Sequence, residues 1–271
     1  MILFRYVTLV TNPDYALAAK ALARSLTMVN SQWPLIVMVV REVDGLDELS
    51  ALGCEIVRVD PLDVSAEFRA RHSRKAQHSA APFTKGNKPS FHDPLDNFAK
   101  LRLWEFDQYE RVVFLDADLI VVQNIDKLFG YPEFVAAPNV YEGLADFGRM
   151  NSGVFVAQPS KATFARMMAH LDRPDTFWRR TDQTFLQEFF PDWHGLPYTY
   201  NTLQYVWFNL PDLWDWSQIK IVHYQYEKPW QADHPKREQL APLIALWQHV
   251  LDHGKLPTGP LLDTLRRLGS R

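Results

Sequence analysis

Residues Val112–Asn124 read VVFLDADLIVVQN, and the rest of the chain is organised around them. The apolar run with β-branched residues predicts a buried strand that ends at Asp116. Because strand side chains alternate in direction, Asp116 and Asp118 leave the end of this strand on the same side. Two adjacent carboxylates repel each other and resist desolvation, and a hard divalent cation removes both difficulties. The stretch therefore predicts a metal-binding carboxylate pair or, alternatively, an Asp-rich turn.

Composition restricts the class of protein. The chain has 271 residues, of which 47% are hydrophobic and 13% aromatic, enough to build the core of a compact globular protein. Its formal net charge of -3 argues against nucleic acid as the main partner. The single cysteine, Cys54, excludes an intramolecular disulfide and a zinc site made of several thiolates.

The N-terminal residues lack the pattern of a secretory signal. Arg5 interrupts a short apolar run, and the chain becomes polar at Asn12–Asp14. No unbroken apolar stretch is long enough to span a bilayer. We expect a soluble cytoplasmic protein without a transmembrane segment.

Strand and helix patterns alternate along the chain. The predicted strands are Ile2–Val10, Leu35–Val40, Glu55–Val59, the strand before Asp116, Val135–Pro138, Val154–Ala157 and Ile219–His223. The predicted helices are about Tyr15–Met28, Asp44–Leu52, Asp96–Phe106, Ile125–Phe129, Ser160–Leu171, Thr181–Phe190 with Thr181 as its N-cap, Lys236–His253 and Leu261–Leu268. This order predicts an α/β fold with a mainly parallel sheet flanked by helices. Such sheets bind ligands at the carboxyl ends of their strands, where Thr11–Tyr15 and Asp116–Asp118 both fall.

Residues 61–95 differ from their surroundings. They are rich in Arg, Lys, His, Ser and Pro, which predicts a long loop or a lid that orders over a ligand, or alternatively a disordered, solvated excursion. Residues 236–271 are predicted as a C-terminal helical segment of the same single domain, 1–271.

His223 is the best candidate for a third metal ligand. It ends a short predicted strand and is followed by Lys228-Pro229-Trp230. A lone histidine at a strand end is more often structural, but carboxylates with an imidazole suit Mn²⁺ and leave positions open for substrate oxygens. Such an ion could neutralise a pyrophosphate while Lys228 donated hydrogen bonds to the same phosphate oxygens.

A series of motifs gives the chain a family resemblance. In order they are Val7-Thr8-Leu9, Thr11-Asn12, Tyr15, Phe98, Lys100-Leu101, Trp104, Tyr109–Asp118, Asn151-Ser152-Gly153-Val154-Phe155, Asp182-Gln183, Tyr200-Asn201, His223-Tyr224 and Lys228-Pro229-Trp230. Together they resemble the glycogenin and galactinol synthase group of family 8 retaining glycosyltransferases, over about residues 6–230.

The resemblance implies a Rossmann-like nucleotide-sugar-binding domain of the GT-A type and a role for each matched residue. Around the uracil of a UDP-sugar it implies Leu9, Thr11, Asn12 and a stacking Tyr15; for Mn²⁺, with Mg²⁺ as the alternative, it implies Asp116, Asp118 and His223. Ala117 matches the position near the ribose, Lys100 a lysine near the donor, and Lys228 a phosphate contact. Asn151, Asp182 and Gln183 match residues that line the donor sugar, and we regard Asp182, Gln183 and Lys228 as the candidate catalytic residues.

The resemblance also implies a reaction that keeps the anomeric configuration. No Asp or Glu is identifiable as a nucleophile, so we favour front-face attack, in which a leaving phosphate oxygen deprotonates the acceptor hydroxyl. The glycogenin acceptor tyrosine falls at Phe208, although Tyr205 is nearby, so we expect a separate acceptor such as a polyol, a saccharide or a small glycoside. The stretch from His223 to Lys228 also departs from glycogenin, since it contains no glycine. A homodimer is compatible with the sequence.

Two other classes of function remain open at the level of sequence. A strand ending in DxD also occurs in Mg²⁺-dependent phosphatases of the haloacid dehalogenase type, although there the motif is expected near the N-terminus. The other class is a non-catalytic nucleotide-sugar-binding protein, because a fold does not guarantee activity.

Overall fold

The structure is a computed structural model that describes residues 3–80, 93–140, 142–233 and 235–267. Its strands are β1 Phe4–Val10, β2 Leu35–Val40, β3 Glu55–Val59, β4 Arg111–Leu115, β5 Leu119–Val121, β6 Val135–Pro138, β7 Met150–Ala157, β8 His194–Gly195, β9 Thr202–Leu203 and β10 Ile221–His223. Its α-helices are α1 Pro13–Met28, α2 Leu46–Ala51, α3 Ala66–Arg71, α4 Arg74–Ala80, α5 Pro94–Asn97, α6 Lys161–Leu171, α7 Asp182–Phe189, α8 Val206–Asn209, α9 Ala241–His253 and α10 Pro260–Arg267. Short 3-10 helices cover Phe98–Glu105, Asp126–Gly130, Leu144–Asp146, Tyr198–Asn201 and Pro211–Leu213.

The central sheet has the strand order β3-β2-β1-β4-β7-β6-β8 in the described part of the chain. β1 pairs in parallel with β2 and β4, β2 with β3, and β6 with β8, whereas β7 runs antiparallel to both β4 and β6. The prediction of an α/β fold with a mainly parallel sheet is therefore confirmed.

A second, smaller sheet brings the predicted third ligand to the two carboxylates. The chain leaves β4, passes through Asp116–Asp118 and enters β5, which pairs antiparallel with β10 so that His223 lies opposite Leu119. β10 also pairs in parallel with β9. Because Leu119 directly follows Asp118, this register places His223 beside the Asp116–Asp118 turn.

Apolar side chains cover both faces of the central sheet. On β1, Tyr6 and Val10 belong to a core shared with α1, whereas Val7 and Leu9 belong to the opposite core beneath Phe98–Glu105. A third apolar cluster packs α9 and α10 around the small sheet. No helix in the described ranges is long and apolar enough to cross a membrane.

Several element boundaries differ from the prediction. The single helix predicted over Asp96–Phe106 is a short α-helix followed by the 3-10 helix Phe98–Glu105. β7 starts at Met150, before the predicted Val154, because Met150 and Asn151 pair with Pro138 and Ala137 of β6.

The described part of segment 61–95 is largely helical, not a long irregular loop. It contains α3, α4 and the start of α5, while residues 81–92 lie outside the described residues. His72 Nε2 and the Gln77 amide bond to the backbone of Trp178, each at 2.9 Å. Both polar side chains are buried and hydrogen-bonded, so they hold α3 and α4 against the segment around Trp178, shortly before Asp182. A lid function of this segment stays a prediction.

Candidate active site

Asp116 and Asp118 each turn one carboxylate oxygen to a lysine and the other to His223. Asp116 Oδ1 lies 2.8 Å from the Lys100 ammonium, whereas its Oδ2 lies 3.8 Å from His223 Nε2. Asp118 Oδ2 accepts a hydrogen bond from Lys228, whereas its Oδ1 lies 3.4 Å from the same imidazole nitrogen. The three residues offer ligand atoms that all lie within 4.8 Å of one another. Two carboxylate oxygens and an imidazole nitrogen are a donor set suited to a divalent cation, so these residues form a candidate metal site.

The two lysines compensate the charge of the carboxylates. Burial favours the neutral form of Asp118, but Lys228 and His223 outweigh it and hold its pKa well below the usual range. Burial raises the pKa of Asp116, and Lys100 offsets this only in part. Burial would lower the pKa of both lysines, but the adjacent carboxylates raise it above the usual value, so both lysines stay charged.

A buried series of side-chain amides fixes the His223 ring. Nδ1 lies 2.8 Å from Asn201 Oδ1, so Nδ1 carries the proton and Nε2 is left to face the carboxylates. Asn201 Nδ2 donates to Asn151 Oδ1 at 2.9 Å, and Asn151 Nδ2 donates to Asn139 Oδ1 at 3.0 Å. A histidine that binds metal through one nitrogen is held in this way through the other.

Gly153 leaves room for the His223 ring. A Cβ at this position would lie 2.6 Å from His223 Cε1 and 2.9 Å from Nδ1. The ring is also held in place by the hydrogen bond between its Nδ1 and Asn201. The Gly153 N–H also donates to Asn151 Oδ1 at 2.9 Å. Close approach, rather than an unusual backbone angle, therefore requires glycine here.

A cavity of about 230 Å³ opens at the carboxyl ends of the strands. The predicted site residues that line it are Leu9, Thr11, Tyr15, Lys100, Asp116, Ala117, Asp118, Asn151, Asp182, Gln183, His223 and Lys228. Asn12 does not line it; its side-chain oxygen accepts a hydrogen bond of 3.1 Å from Tyr15 N and caps α1. A contact between Asn12 and a donor stays a prediction.

One end of the cavity is aromatic. The Tyr15 ring centroid lies 5.9 Å from the Lys228 ammonium and 6.0 Å from the Trp230 ring, which is oriented edge-on. Burial raises the pKa of Tyr15 to about 12, so the phenol stays neutral. Leu9 and Thr11 line the same cavity. This end can cover the face of a flat, aromatic ligand group.

Asp182 is held at both carboxylate oxygens. Its Oδ2 accepts a hydrogen bond of 2.6 Å from Ser152 Oγ and lies 2.9 Å from the Lys100 ammonium. Its Oδ1 accepts a hydrogen bond of 2.9 Å from Thr181 Oγ1. Lys100 therefore bridges Asp182 and Asp116, and it fixes the two carboxylates relative to each other.

Thr181 is the N-cap residue of α7, as predicted, but it does not cap the helix through its side chain. The helix does begin at Asp182, but the Thr181 side chain makes no bond to the helix backbone. Its φ of 49° lies in the left-handed region, which is uncommon for a β-branched residue. In this conformation the hydroxyl donates to Asp182 and accepts a hydrogen bond of 3.2 Å from Asn97 Nδ2. Thr181 therefore positions a site carboxylate instead of the helix end.

The segment from His223 to Lys228 turns without glycine. Tyr226 takes a φ of 67°, the left-handed conformation that glycine adopts at least cost. Its ring lines the cavity and stacks on Tyr205 with 5.4 Å between centroids. The turn returns the Lys228 ammonium to within 2.9 Å of Tyr224 O and onto the site carboxylate. Where the sequence predicted a loop unlike that of glycogenin, the structure has a tyrosine, Tyr226, in a strained backbone conformation.

The structure offers no accessible tyrosine hydroxyl at the two positions considered for self-glycosylation: Phe208 has no hydroxyl, and that of Tyr205 is buried. Tyr205 is 1% exposed, and its hydroxyl bonds to the Glu227 carboxylate and the Lys236 ammonium. Burial and the adjacent Glu227 raise the pKa of Tyr205. A phenol held in this way is unsuited to accept a sugar. A separate acceptor stays a prediction.

Several residues that line the cavity were not predicted from the sequence as site residues. They are Asn97, Asn139, Ser152, Arg179, Arg180, Thr181, Gln225 and Tyr226, with Asn201 behind His223. Ser152 and Asn201 lie within the family motifs Asn151–Phe155 and Tyr200-Asn201, and these motifs could have identified them as site residues. The pair Arg179-Arg180 directly precedes Thr181-Asp182. Asn97 and Asn139 carry no local signal, because only the folded chain brings them to the cavity.

Comparison with known sequences gives a family match over most of the chain. The profile described as Glycosyl transferase family 8 matches residues 6–234. Galactinol synthase 1 of Solanum lycopersicum is 28% identical over 92% of this chain and 83% of its own length. UDP-glucuronate:xylan alpha-glucuronosyltransferase 2 of Arabidopsis thaliana is 30% identical over 83% of this chain and 35% of its own length.

Solved structures share the fold at low sequence identity. The apo form of the glycosyltransferase GlyE of Streptococcus pneumoniae TIGR4 is 17% identical, with a TM-score of 0.62, over 92% of this chain and 62% of that one. The galactosyltransferase LgtC in complex with donor and acceptor sugar analogs is 15% identical, with a TM-score of 0.53, over 94% and 97%. At these identities the likeness concerns the fold alone.

Proposed function

We propose, from the premise that the chain belongs to glycosyl transferase family 8, that it transfers a hexose from a UDP-sugar to a hydroxyl acceptor in a metal-dependent reaction. Membership of this family makes the chain a glycosyltransferase and removes the phosphatase alternative. The observation that carries the finer proposal is the convergence of Asp116, Asp118 and His223 at a cavity with a neutral aromatic end at Tyr15.

Asp116, Asp118 and His223 are the residues that would hold the metal. Each carboxylate uses its second oxygen for a lysine, so one oxygen of each remains directed to His223 Nε2. The mixed oxygen and nitrogen donor set favours Mn²⁺, with Mg²⁺ as the alternative. A bound divalent ion supplies positive charge to the diphosphate of the donor.

Lys228 is suited to stabilise the leaving nucleoside diphosphate. Its ammonium is buried, remains charged and lies at the same edge of the cavity as the metal ligands. An ammonium in such a desolvated position donates strong hydrogen bonds to oxygens that gain charge as the glycosidic bond breaks. Lys100 has a different task, because it bridges Asp116 and Asp182 and keeps both in place.

The surroundings of Asp182 favour front-face attack over a covalent intermediate. Its two oxygens are engaged by Ser152, Thr181 and Lys100, which reduces their nucleophilicity. The other carboxylates that line the cavity in the described residues are Asp116 and Asp118, which belong to the metal site. In front-face attack a leaving phosphate oxygen takes the proton of the acceptor hydroxyl, and the anomeric configuration is retained. Recovery of a sugar covalently bound to Asp182 would contradict this route.

The proposed donor class rests on the aromatic end of the cavity and on a relative. Leu9, Thr11 and Tyr15 can surround a base, and one relative is named for UDP-glucuronate and xylan. The proposed acceptor is a polyol, a saccharide or a small glycoside, since Tyr205 is buried and engaged.

A donor screen tests the function. UDP release is measured from UDP-glucose, UDP-galactose and UDP-glucuronate with MnCl₂, with and without pooled acceptors. We expect release from at least one donor, its loss in Asp118→Asn and in Asp116→Asn, and retention in the exposed surface control Asp252→Asn. In Asp116→Asn, Lys100 keeps its ion pair with Asp182, so we expect this variant to disturb folding little. Circular dichroism verifies folding, and undiminished turnover of both variants would remove the metal assignment.

A further inference from the structure

A second cavity continues the catalytic one on the side of Asp182. It measures about 590 Å³ and shares Arg179, Arg180 and Gln183 with the first cavity. Arg149 also lines it. The shared residues lie within three positions of Asp182 in the chain, and Asp182 is the residue proposed to hold the donor sugar. Tyr15 lines the first cavity but not the second. Cationic side chains therefore adjoin the place where the sugar would lie.

The carboxylates near these arginines are shared between several cations. Asp146 forms an ion pair with Arg149 and also lies 3.9 Å from Arg180 Nη2, at the outer limit of an ion pair. Glu188 lies 2.5 Å from the Arg173 guanidinium and 3.2 Å from His170 Nε2. Among the described residues, Arg179 lies within ion-pair distance of no carboxylate.

One donor group of Arg180 is buried without an acceptor. Its Nη1 has no hydrogen-bond partner among residues 3–80, 93–140, 142–233 and 235–267. Buried guanidinium N–H groups are nearly always paired, and a flat carboxylate matches the guanidinium with two parallel bonds. A neutral hexose would offer a hydroxyl without charge at this position, whereas a uronic acid offers a carboxylate.

The net charge of the site also favours a donor that carries a carboxylate. The ionic side chains lining the first cavity are four cations, namely Lys100, Arg179, Arg180 and Lys228, and three carboxylates, namely Asp116, Asp118 and Asp182. With a divalent ion the lining carries about three net positive charges. A UDP-hexose brings about two negative charges and a UDP-uronate about three. The site balances the second donor more closely.

From these observations, and resting on the proposed function, we infer that Arg179 and Arg180 recognise a carboxylate on the donor sugar, so that the preferred donor is a UDP-hexuronate. Arg180 would use its unpartnered Nη1, and Arg179 would add charge at the rim. The arginines would act as specificity-determining residues, since diphosphate binding is already served by Lys228 and the metal site.

Binding measurements on the full chain test this inference without needing the acceptor. Dissociation constants are measured by calorimetry with MnCl₂ for UDP, UDP-glucose, UDP-galactose and UDP-glucuronate. We expect UDP-glucuronate to bind at least about ten-fold more tightly than the neutral donors. Arg180→Gln and Arg179→Gln should lose most of this preference, while Arg180→Lys, which keeps the charge but not the planar fork, should retain part of it. Arg58→Gln, on an exposed ion pair of β3, is the matched control.

The possible outcomes separate the inference from the proposed function. Failure of UDP and of every UDP-sugar to bind would overturn the proposed function itself. Binding of UDP together with equal or tighter binding of neutral donors would overturn only the uronate inference. If the arginine variants weaken UDP as much as UDP-glucuronate, the arginines hold the diphosphate and the inference is wrong. An effect of the variants on acceptor-dependent turnover alone would place the anion on the acceptor and would also overturn it.

Discussion

Asn201 Oδ1 lies 2.8 Å from His223 Nδ1, and this hydrogen bond determines which imidazole nitrogen faces Asp116 and Asp118. The orientation of the Asn201 amide is itself fixed, because its Nδ2 donates to Asn151. Neutral imidazole carries one proton, so a donating Nδ1 leaves the Nε2 lone pair for a metal. Asn201 is therefore a positioning residue that acts through His223.

Replacement of this amide should weaken metal binding. Asn201→Ala leaves the ring free to rotate and to change tautomer, and we expect Mn²⁺ affinity to fall about 10- to 100-fold. Calorimetric titration with MnCl₂ measures the change, and the exposed amide variant Gln218→Ala serves as control. Wild-type affinity in folded Asn201→Ala would show that the hydrogen bond has no part in metal binding.

A methyl group at Gly153 should displace His223. Gly153→Ala would place a Cβ 2.6 Å from His223 Cε1, while the hydrogen bond with Asn201 restricts movement of the ring. We expect destabilisation of about 1–3 kcal/mol from overpacking, together with weakened Mn²⁺ binding. Urea denaturation and metal titration measure the two effects. Gly130→Ala, where an added Cβ meets nothing within 4 Å, is the matched control; equal behaviour of the two variants would contradict the expected clash.

The sequence predicted the sheet well because its signals are local. β2 and β3 match their predicted ranges residue for residue, since each is a short apolar or alternating run bounded by turn residues. The position of the carboxylate pair directly after a buried strand was also predictable, although Asp116 and Asp118 lie in the turn between β4 and β5 and not within a strand. His223 could be paired with them through the motif order, although its register against Leu119 required the structure.

The supporting residues of the site were not predictable in the same way. Thr181 reads as a cap from its position before a helix, but its φ of 49° turns the hydroxyl to Asp182. Asn139 reaches Asn151 through a pairing between β6 and β7 that includes a register shift at Ala136 and Ala137. Long-range pairing and local strain decide these contacts, and neither leaves a pattern in a short window of sequence.

Removal of the Lys100 ammonium should destabilise the fold more than removal of a surface lysine. Lys100→Met leaves the half-buried carboxylate of Asp116 and the buried carboxylate of Asp182 without the cation that lies 2.8 and 2.9 Å from them. Breaking a buried ion pair from one side costs about 3–5 kcal/mol. Urea denaturation should therefore show a large loss for Lys100→Met. Lys161→Met removes a pair whose lysine side chain is 70% exposed, and it should match the wild type. Similar losses in both variants would contradict the proposed role of Lys100.

His72 should make the stability of the protein depend on pH. The ring is buried, its Nδ1 lies 3.0 Å from Phe68 O, and its Nε2 accepts a hydrogen bond of 2.9 Å from Trp178 N. This arrangement requires neutral imidazole, and burial lowers the pKa of His72 accordingly. The unfolded chain, with a histidine pKa of about 6.5, binds the proton first as the pH falls. Stability from the neutral ring is therefore present above about pH 6.5 and is lost as the pH decreases below it.

The His72→Gln variant isolates this contribution, because glutamine stays neutral at every pH. We expect the variant to be less stable than the wild type at pH 8 and the difference to shrink at pH 5, where the wild type has lost the contribution of neutral His72. Urea midpoints at the two pH values measure it. His194→Gln, at an exposed position on β8, controls for a general effect of histidine replacement.

The hydrogen bond between His72 and Trp178 holds α3 against the segment before Asp182. Its loss on protonation of His72 should therefore increase proteolytic cleavage near α3 at low pH. A constant difference between His72→Gln and wild type across this range would mean that His72 does not titrate with unfolding.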